Sequence, residues 1–209
     1  MQYGVDVAST RLDGLDKRVL ADVRERISRG EDVTVLDVGC GQGGLAAALV
    51  EAGARVLALD IVDYSEATQT HSTMHSNAID FRQADIRDWL TANTEQFDLV
   101  VLQRVIHYLP YTDALAVLER LHLVTDRLYL SVTGTTTAIA RHYDALTQPL
   151  PQRWGKLDLL GQELFSISAP LCIYSAEEVR QLLVDTGWCV DWLWVSDFGN
   201  CKVVARVKE

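Results

Sequence analysis

The sequence predicts an α/β fold: a doubly wound sheet of seven strands, mostly parallel, with an antiparallel C-terminal hairpin strand. Three observations carry this. Short β-rich runs alternate with helical stretches through the first 132 residues, and units of that kind pair as parallel strands covered by helices on both faces. A glycine-rich turn, Gly39-Cys40-Gly41-Gln42-Gly43-Gly44, lies between the first such run and the helix after it. The last two β-rich runs are joined only by Asp197-Phe198-Gly199-Asn200, too short for a parallel crossover, which takes about a dozen residues.

Each element has its own signal. Leu12, Leu15, Val19, Val23 and Ile27 recur at helical spacing before Gly30, so residues 1–32 are expected to form a helical N-terminal segment. Residues 33–38 read as the first strand, and the Ala/Leu-rich stretch 45–50, closed by Gly53, as the helix after the glycine turn. The alternation continues with a strand at 55–60, a helix near 64–75, a strand at 79–84, a short helix near Asp88 and a strand at 97–102. A helix over 113–123 buries Ala114, Val117, Leu118 and Leu121, and 128–132 forms the fifth strand.

The rhythm then breaks. Residues 134–174 hold three of the four prolines, Pro149, Pro151 and Pro170, together with Trp154, and read as an insertion or lid between the fifth strand and the last helix. Regularity resumes at Ser175, where Ser175 and Glu178 have capping-box spacing ahead of the apolar stripe Val179, Leu182 and Leu183. Runs at 188–195 and 202–207 make the closing hairpin. With no repeat, low-complexity tract or linker, residues 1–209 are expected to form a single domain.

Composition narrows the function. Of the 209 residues 48% are hydrophobic and 23% charged, values of an ordinary globular chain. The 19 Lys and Arg against 29 Asp and Glu give a net charge of −10, which repels phosphate backbones and anionic membranes. No apolar run approaches the roughly 18 residues needed to span a bilayer, and a cytoplasmic protein is expected. Cys40, Cys172, Cys189 and Cys201 form no C-x-x-C pair or zinc-like grouping and are read as reduced and mostly buried. No metal is predicted.

Taken alone, the glycine turn is ambiguous. Gly39, Gly41 and Gly44 satisfy the dinucleotide pattern G-x-G-x-x-G, and Asp60 lies at the end of the second strand, where an acid holds ribose hydroxyls. Asp37, two residues before the first glycine, points elsewhere. Asp37 with Gly39-Cys40-Gly41-Gln42-Gly43 resembles motif I of the class I S-adenosylmethionine-dependent methyltransferases. The resemblance extends to Asp60-Ile61, Gln83-Ala84-Asp85-Ile86, residues 97–102 and residues 105–110, and covers residues 33–132 well. It implies a Rossmann-like sheet, S-adenosyl-L-methionine as cofactor and S-adenosyl-L-homocysteine as product. The carboxylate of the cofactor would use amides near Gly39, Cys40 and Gly41, and Asp37 would receive its ammonium. Asp60 would take the ribose hydroxyls, Ile61 would cover the adenine, and Asp85 and the Ile86 amide would face its edge. Gln103, at the end of the fourth strand, completes the cofactor set.

Methyl transfer from a sulfonium is an in-line displacement in which positioning and exclusion of water do much of the work. An acceptor that must lose a proton needs a base, and His107, His142 and Tyr143 have the chemistry for it. Gln103-Arg104-Val105-Ile106 stands where amino-methylating DNA enzymes of the family carry an acid or asparagine followed by Pro-Pro and an aromatic residue. With the acidic net charge, this favours a small-molecule acceptor over nucleic acid. Arg104, Arg141, Arg153 and Lys156 are cations available to an acidic acceptor or to solvent, and Trp154, Phe165 and Tyr174 either line an acceptor pocket or anchor the insertion. Two other readings stay open: a non-catalytic adenosylmethionine-binding or regulatory subunit, and an NAD-dependent oxidoreductase.

Overall fold

The computed structural model describes Tyr3 and residues 12–72 and 79–208. The predicted architecture is present as a seven-stranded sheet of order β3-β2-β1-β4-β5-β7-β6, with β1 Thr34–Val38, β2 Arg55–Asp60, β3 Ile79–Gln83, β4 Leu99–Gln103, β5 Arg127–Val132, β6 Trp188–Val195 and β7 Cys201–Val207. The chain groups into two compact units, residues 6–103 with 121–129, and residues 1–5 with 104–120 and 130–209.

The first, or glycine-turn, unit begins with α1, Gly14–Ser28. Its start is fixed by a reciprocal cap: the Asp13 carboxylate accepts from the Leu15 amide at 2.7 Å, and Asp16 accepts from the Asp13 amide at 2.6 Å. Leu15, Val19, Leu20 and Val23 are buried, while Leu12 lies ahead of the first turn. At the far end Arg26 reaches Asp98 and Glu31, each at 2.7 Å, and Asp98 also accepts the Thr34 amide and hydroxyl at 2.8 Å. Asp98 therefore ties α1 to the starts of β1 and β4. The strands β1, β2 and β3 run parallel in successive register, and β4 lies parallel on the other side of β1. The connecting helices are α2 Gly44–Glu51, α3 Ser65–Ser72 and α4 Ile86–Ala92. The expected α3 extends to 75, and residues 73–78 lie outside the described residues.

The second unit holds most of α5 Tyr111–Leu121, the α7 helix Ala176–Asp185 and the β6/β7 hairpin. The Ser175 and Glu178 capping box forms as the sequence predicts. The antiparallel pairing of β6 with β7 is interrupted by a bulge between Val190 and Trp192. The insertion consists of short 3-10 turns at Ala138–His142, Asp144–Thr147 and Leu150–Gln152, then α6, Leu159–Phe165. It has its own apolar cluster of Ala140, Tyr143, Leu157, Ile167, Leu171 and Ile173, against which Phe165 packs. Gly134 opens the insertion against the hairpin turn, where a Cβ would stand 2.1 Å from the Gly199 carbonyl oxygen. No helix among the described residues is long and apolar enough to cross a membrane.

Candidate functional site

Parallel register brings the candidate cofactor residues of the glycine-turn unit to one sheet edge. Val38 lies opposite both Leu59 and Leu102, and Asp60 opposite Gln83, so Gly39, Asp60 and Gln103 are the next residues at the carboxyl ends of three adjacent strands, with Asp85 two residues beyond β3. In open parallel sheets this edge is where ligands bind.

Asp60 is the most firmly oriented of the set. Its Oδ2 accepts from the Gly41 amide at 3.0 Å and its Oδ1 from the Val62 amide at 2.9 Å. An ionised carboxylate offers about four acceptor sites, and these two backbone bonds fix its plane. Gly41 meets Asp60 with φ +53, a left-handed conformation. Beside the carboxylate, Ile61 is 47% exposed, an apolar surface suited to a purine face.

The turn differs from expectation at its first two amides. Those of Gly39 and Cys40 donate to the Leu59 carbonyl at 2.7 and 3.2 Å, and that of Gly41 serves Asp60. The three amides expected to receive the cofactor carboxylate are thus committed inside the unit, because the turn is braced on the end of β2. The N-cap of α2, Gly43, has no side chain to satisfy the helix's opening amides, which leaves the first turn of α2 as the anion-favouring part of the segment. Asp37 is buried at 3% exposure within β1.

Asp85 also has a local role. It N-caps α4 by accepting the Arg87 amide at 2.9 Å, and the Arg87 guanidinium approaches its other oxygen at 2.6 Å. Chiefly through that side-chain hydrogen bond, the carboxyl is held below the usual aspartate range. Any contact with adenine would share the carboxylate with Arg87. The Ile86 side chain is buried, and its amide sits in the first turn, which leaves it without an intrahelical partner. The Gln103 side-chain amide donates to Asp16 Oδ1. Asp16, itself only 2% exposed, is a residue the sequence reading missed; the Asp13-x-x-Asp16 spacing signals the cap but not the contact with β4.

The three base candidates lie in the second unit and separate clearly. His107 is 1% exposed, and burial, aided by Arg104, pushes its pKa down to about 3. Its Nδ1 accepts from the Thr133 amide at 3.5 Å, and its carbonyl accepts from the Cys172 amide at 2.7 Å. This is a packed, neutral histidine and a poor base, a correction to its candidacy. Tyr143 is corrected likewise: 3% exposed, it donates to the carbonyls of Arg153 and Leu171, the second at 2.5 Å, and burial raises its pKa further. His142 is partly exposed, with Nδ1 at 3.1 Å from both oxygens of Asp158.

The cations of the insertion also divide. Arg153 is 7% exposed and bonds the Ile173 carbonyl at 3.0 Å and Glu178 at 2.8 Å, which commits it to structure. Tyr174 is buried and Trp154 44% exposed. Cys40, Cys172 and Cys201 are buried, and burial pushes the Cys201 thiol up to about 11. Among the described residues no group of three or more His, Cys, Asp or Glu side chains is placed to hold a metal ion.

Comparison with known proteins agrees with this architecture. Residues 35–127 match a family model described as a methyltransferase domain. Curated relatives include ubiquinone biosynthesis O-methyltransferases: that of Xylella fastidiosa (strain M23) is 32% identical over 133 residues, 61% of this chain and 49% of that protein. That of Actinobacillus pleuropneumoniae serotype 5b (strain L20) is 33% identical over 90 residues, 41% of this chain and 38% of that protein. The chain thus spans half or less of the length of these relatives. Among solved structures, the 1,6-didemethyltoxoflavin-N1-methyltransferase of Burkholderia thailandensis, with S-adenosylhomocysteine bound, aligns over 94% of this chain and 79% of its own at 18% identity and a TM-score of 0.67. Magnesium protoporphyrin IX methyltransferase from Synechocystis PCC 6803, also with the bound product, aligns over 99% and 91% at 21% identity and a TM-score of 0.64. At those identities the structural likeness concerns the fold.

Proposed function

We propose that this chain, whose residues 35–127 match a methyltransferase-domain family model, is a class I S-adenosylmethionine-dependent methyltransferase that transfers a methyl group from S-adenosyl-L-methionine to an oxygen of a small-molecule acceptor by in-line displacement. The observation that carries the reading is Asp60, clamped through both oxygens by Gly41 and Val62 with Ile61 exposed beside it. That arrangement fits a ribose and an adenine, and it needs no phosphate partner. The cofactor supplies an activated methyl on a sulfonium. The chain's own part is to orient it: Asp60 on the ribose hydroxyls, Ile61 and Ile86 along the purine, Asp85 at its edge, and Asp37 toward the ammonium, with Asp16 and Gln103 bounding the site at β4. The carboxylates of this edge suit a cationic sulfonium. Small-molecule O-methylation is supported by the names of the relatives, and the acidic net charge weighs against a nucleic-acid acceptor.

Isothermal titration with adenosylmethionine and with adenosylhomocysteine tests the cofactor assignment. Saturable binding of both is expected, and binding of neither would overturn it. Cofactor binding without methyl transfer to any of a metabolite panel would favour the regulatory-subunit reading.

A further inference from the structure

Asp16 belongs to α1, yet it also serves β4. Its Oδ2 closes the helix cap by accepting the Asp13 amide at 2.6 Å, and its Oδ1 accepts the side-chain amide nitrogen of Gln103. The residue is 2% exposed, a burial that a carboxylate tolerates through such donors. Toward the far end of the same helix Arg26 meets Asp98, which immediately precedes β4, at 2.7 Å, and between the two Asp22 accepts the Tyr129 hydroxyl at 2.5 Å. The helix from Asp16 to Arg26 rises about 15 Å and the strand from Asp98 to Gln103 about 17 Å, so α1 lies along β4 with a polar tie at each end. Asp16 is thereby carried to the carboxyl edge of the sheet. All of these residues belong to the glycine-turn unit. A carboxylate only accepts, so the Gln103 amide faces it with nitrogen, and Oε1 is turned away from Asp16. Gln103 is partly exposed, and it shares a sheet face with Asp37, since Asp37 lies opposite Val101 and side chains alternate along a strand.

We propose that Asp16 is the positioning residue for Gln103, and that Gln103 Oε1 accepts from the ammonium at the methionyl end of the cofactor. This rests on the methyl-transfer reading above. The sheet order decides which donor of the cofactor is concerned. In the run β3-β2-β1-β4 the ribose acid Asp60 ends β2 and the adenine-edge acid Asp85 follows β3, so both lie on one side of β1 and Gln103 on the other. The donors of adenosylmethionine are the adenine amine, the two ribose hydroxyls and the ammonium, and the ammonium is the one that remains for β4. It carries N–H donors and no acceptor. Asp37 and Gln103 Oε1 are both acceptors, on one face of adjacent strands. What Asp16 adds is the sense of the amide: nitrogen toward α1, oxygen toward the ligand. The reverse orientation would present N–H groups to a cation and repel it.

Asp16→Asn tests this, because asparagine has one acceptor oxygen where aspartate has two. The fixed Asp13 amide takes that oxygen, the new NH2 faces Gln103, and the Gln103 amide inverts to turn its own NH2 toward the ligand. Titration compares adenosylhomocysteine with its deamino analogue, in which hydrogen replaces the ammonium. Asp16→Asn should weaken adenosylhomocysteine binding about 10-fold or more, the scale of a lost hydrogen bond to a charged group, and binding of the analogue by no more than about 3-fold. Asp16→Asn/Gln103→Glu returns an acceptor to each contact at unchanged net charge and should recover adenosylhomocysteine affinity to within about 3-fold of wild type. Equal losses on both ligands, or no recovery in the double variant, overturn the positioning role, since a merely structural defect does not discriminate by the ammonium. Wild-type protein that binds adenosylhomocysteine no tighter than the analogue overturns the ammonium contact alone, whereas binding of neither refutes the underlying methyl-transfer reading. Should Asp16→Asn not fold, as judged by circular dichroism, the double variant still reads Asp16 and Gln103→Leu reads the contact: a loss confined to adenosylhomocysteine supports it, and unchanged affinity overturns it.

Discussion

In the glycine-turn unit Asp60 is oriented by backbone amides, one of them only two residues away at Val62 and the other at Gly41 across a strand register. In the insertion Tyr143 is held by carbonyls 10 and 28 residues further along, and Arg153 by groups 20 and 25 residues away. The contrast shows why one region presents binding groups and the other absorbs its polar side chains. A parallel sheet satisfies its own backbone and leaves strand-end side chains facing a ligand. An irregular segment has buried carbonyls without ladder partners, and side chains must supply the donors. Tyr143 and Arg153 supply donors for that purpose, and the His142 ring, packed against α6, meets the Asp158 carboxylate.

This contrast can be broken by mutation. The largest effect is expected from Arg153→Ala, which strands Glu178 and the Ile173 carbonyl; a loss of about 3 kcal/mol in unfolding free energy, at the low end for a buried pair because Glu178 is partly exposed, should be seen by urea denaturation. If cofactor affinity per folded molecule fell as much, the division between a binding edge and a structural insertion would fail. Asp60→Ala should do the reverse, weakening adenosylhomocysteine binding by about 1–3 kcal/mol, roughly 5–150-fold by titration; unchanged affinity would remove Asp60 from the site. Tyr143→Phe removes the hydroxyl from the Arg153 carbonyl, while the Leu171 carbonyl keeps the Gly155 amide, and should cost about 1–2 kcal/mol of stability, with methyl transfer preserved in the folded fraction. A substantial loss of kcat there would restore Tyr143 as a base.

The smallest effect concerns acid. Burial of Asp98 opposes its ionisation, but the Thr34 amide and hydroxyl and Arg26 outweigh it and hold the carboxyl below its ordinary value. Because the folded-state pKa is depressed, the stabilisation is complete above the unfolded value of about 3.9 and is lost as the pH falls through the folded value. Asp98→Asn should therefore flatten the acid limb of a stability profile between about pH 5 and 2 without altering the glycine turn's affinity for its ligand.

Much of the fold is legible because its signals are local. The register of β1, β2 and β4 follows from the continuous apolar runs, and the placement of Asp60 and the glycine turn follows from that register. The Ser175 cap and the short hairpin link are likewise written in four or five adjacent residues. The start of α5 differs from expectation by less than a turn, set by Pro110 rather than by the apolar stripe, and α1 occupies only Gly14–Ser28 of the expected 1–32 segment because Asp13 caps it. The candidate bases were not separable in the same way. His107, His142 and Tyr143 offer the same chemistry in sequence, and only burial and partners distinguish a neutral packed imidazole from an oriented exposed one. Nor does spacing show that the Gly39 and Cys40 amides turn to Leu59.

The amino-acid sequence by itself determined the alternating sheet, the glycine turn, the acids at successive strand ends and the acidic charge that disfavours polyanions, because each depends on periodicity or on residue type. Tertiary structure decided which polar groups are consumed and which remain available. Hydrogen-bonding capacity is finite, and whether Asp158 meets His142, Asp16 meets Gln103, or Arg153 meets Glu178 depends on chain segments brought together only on folding.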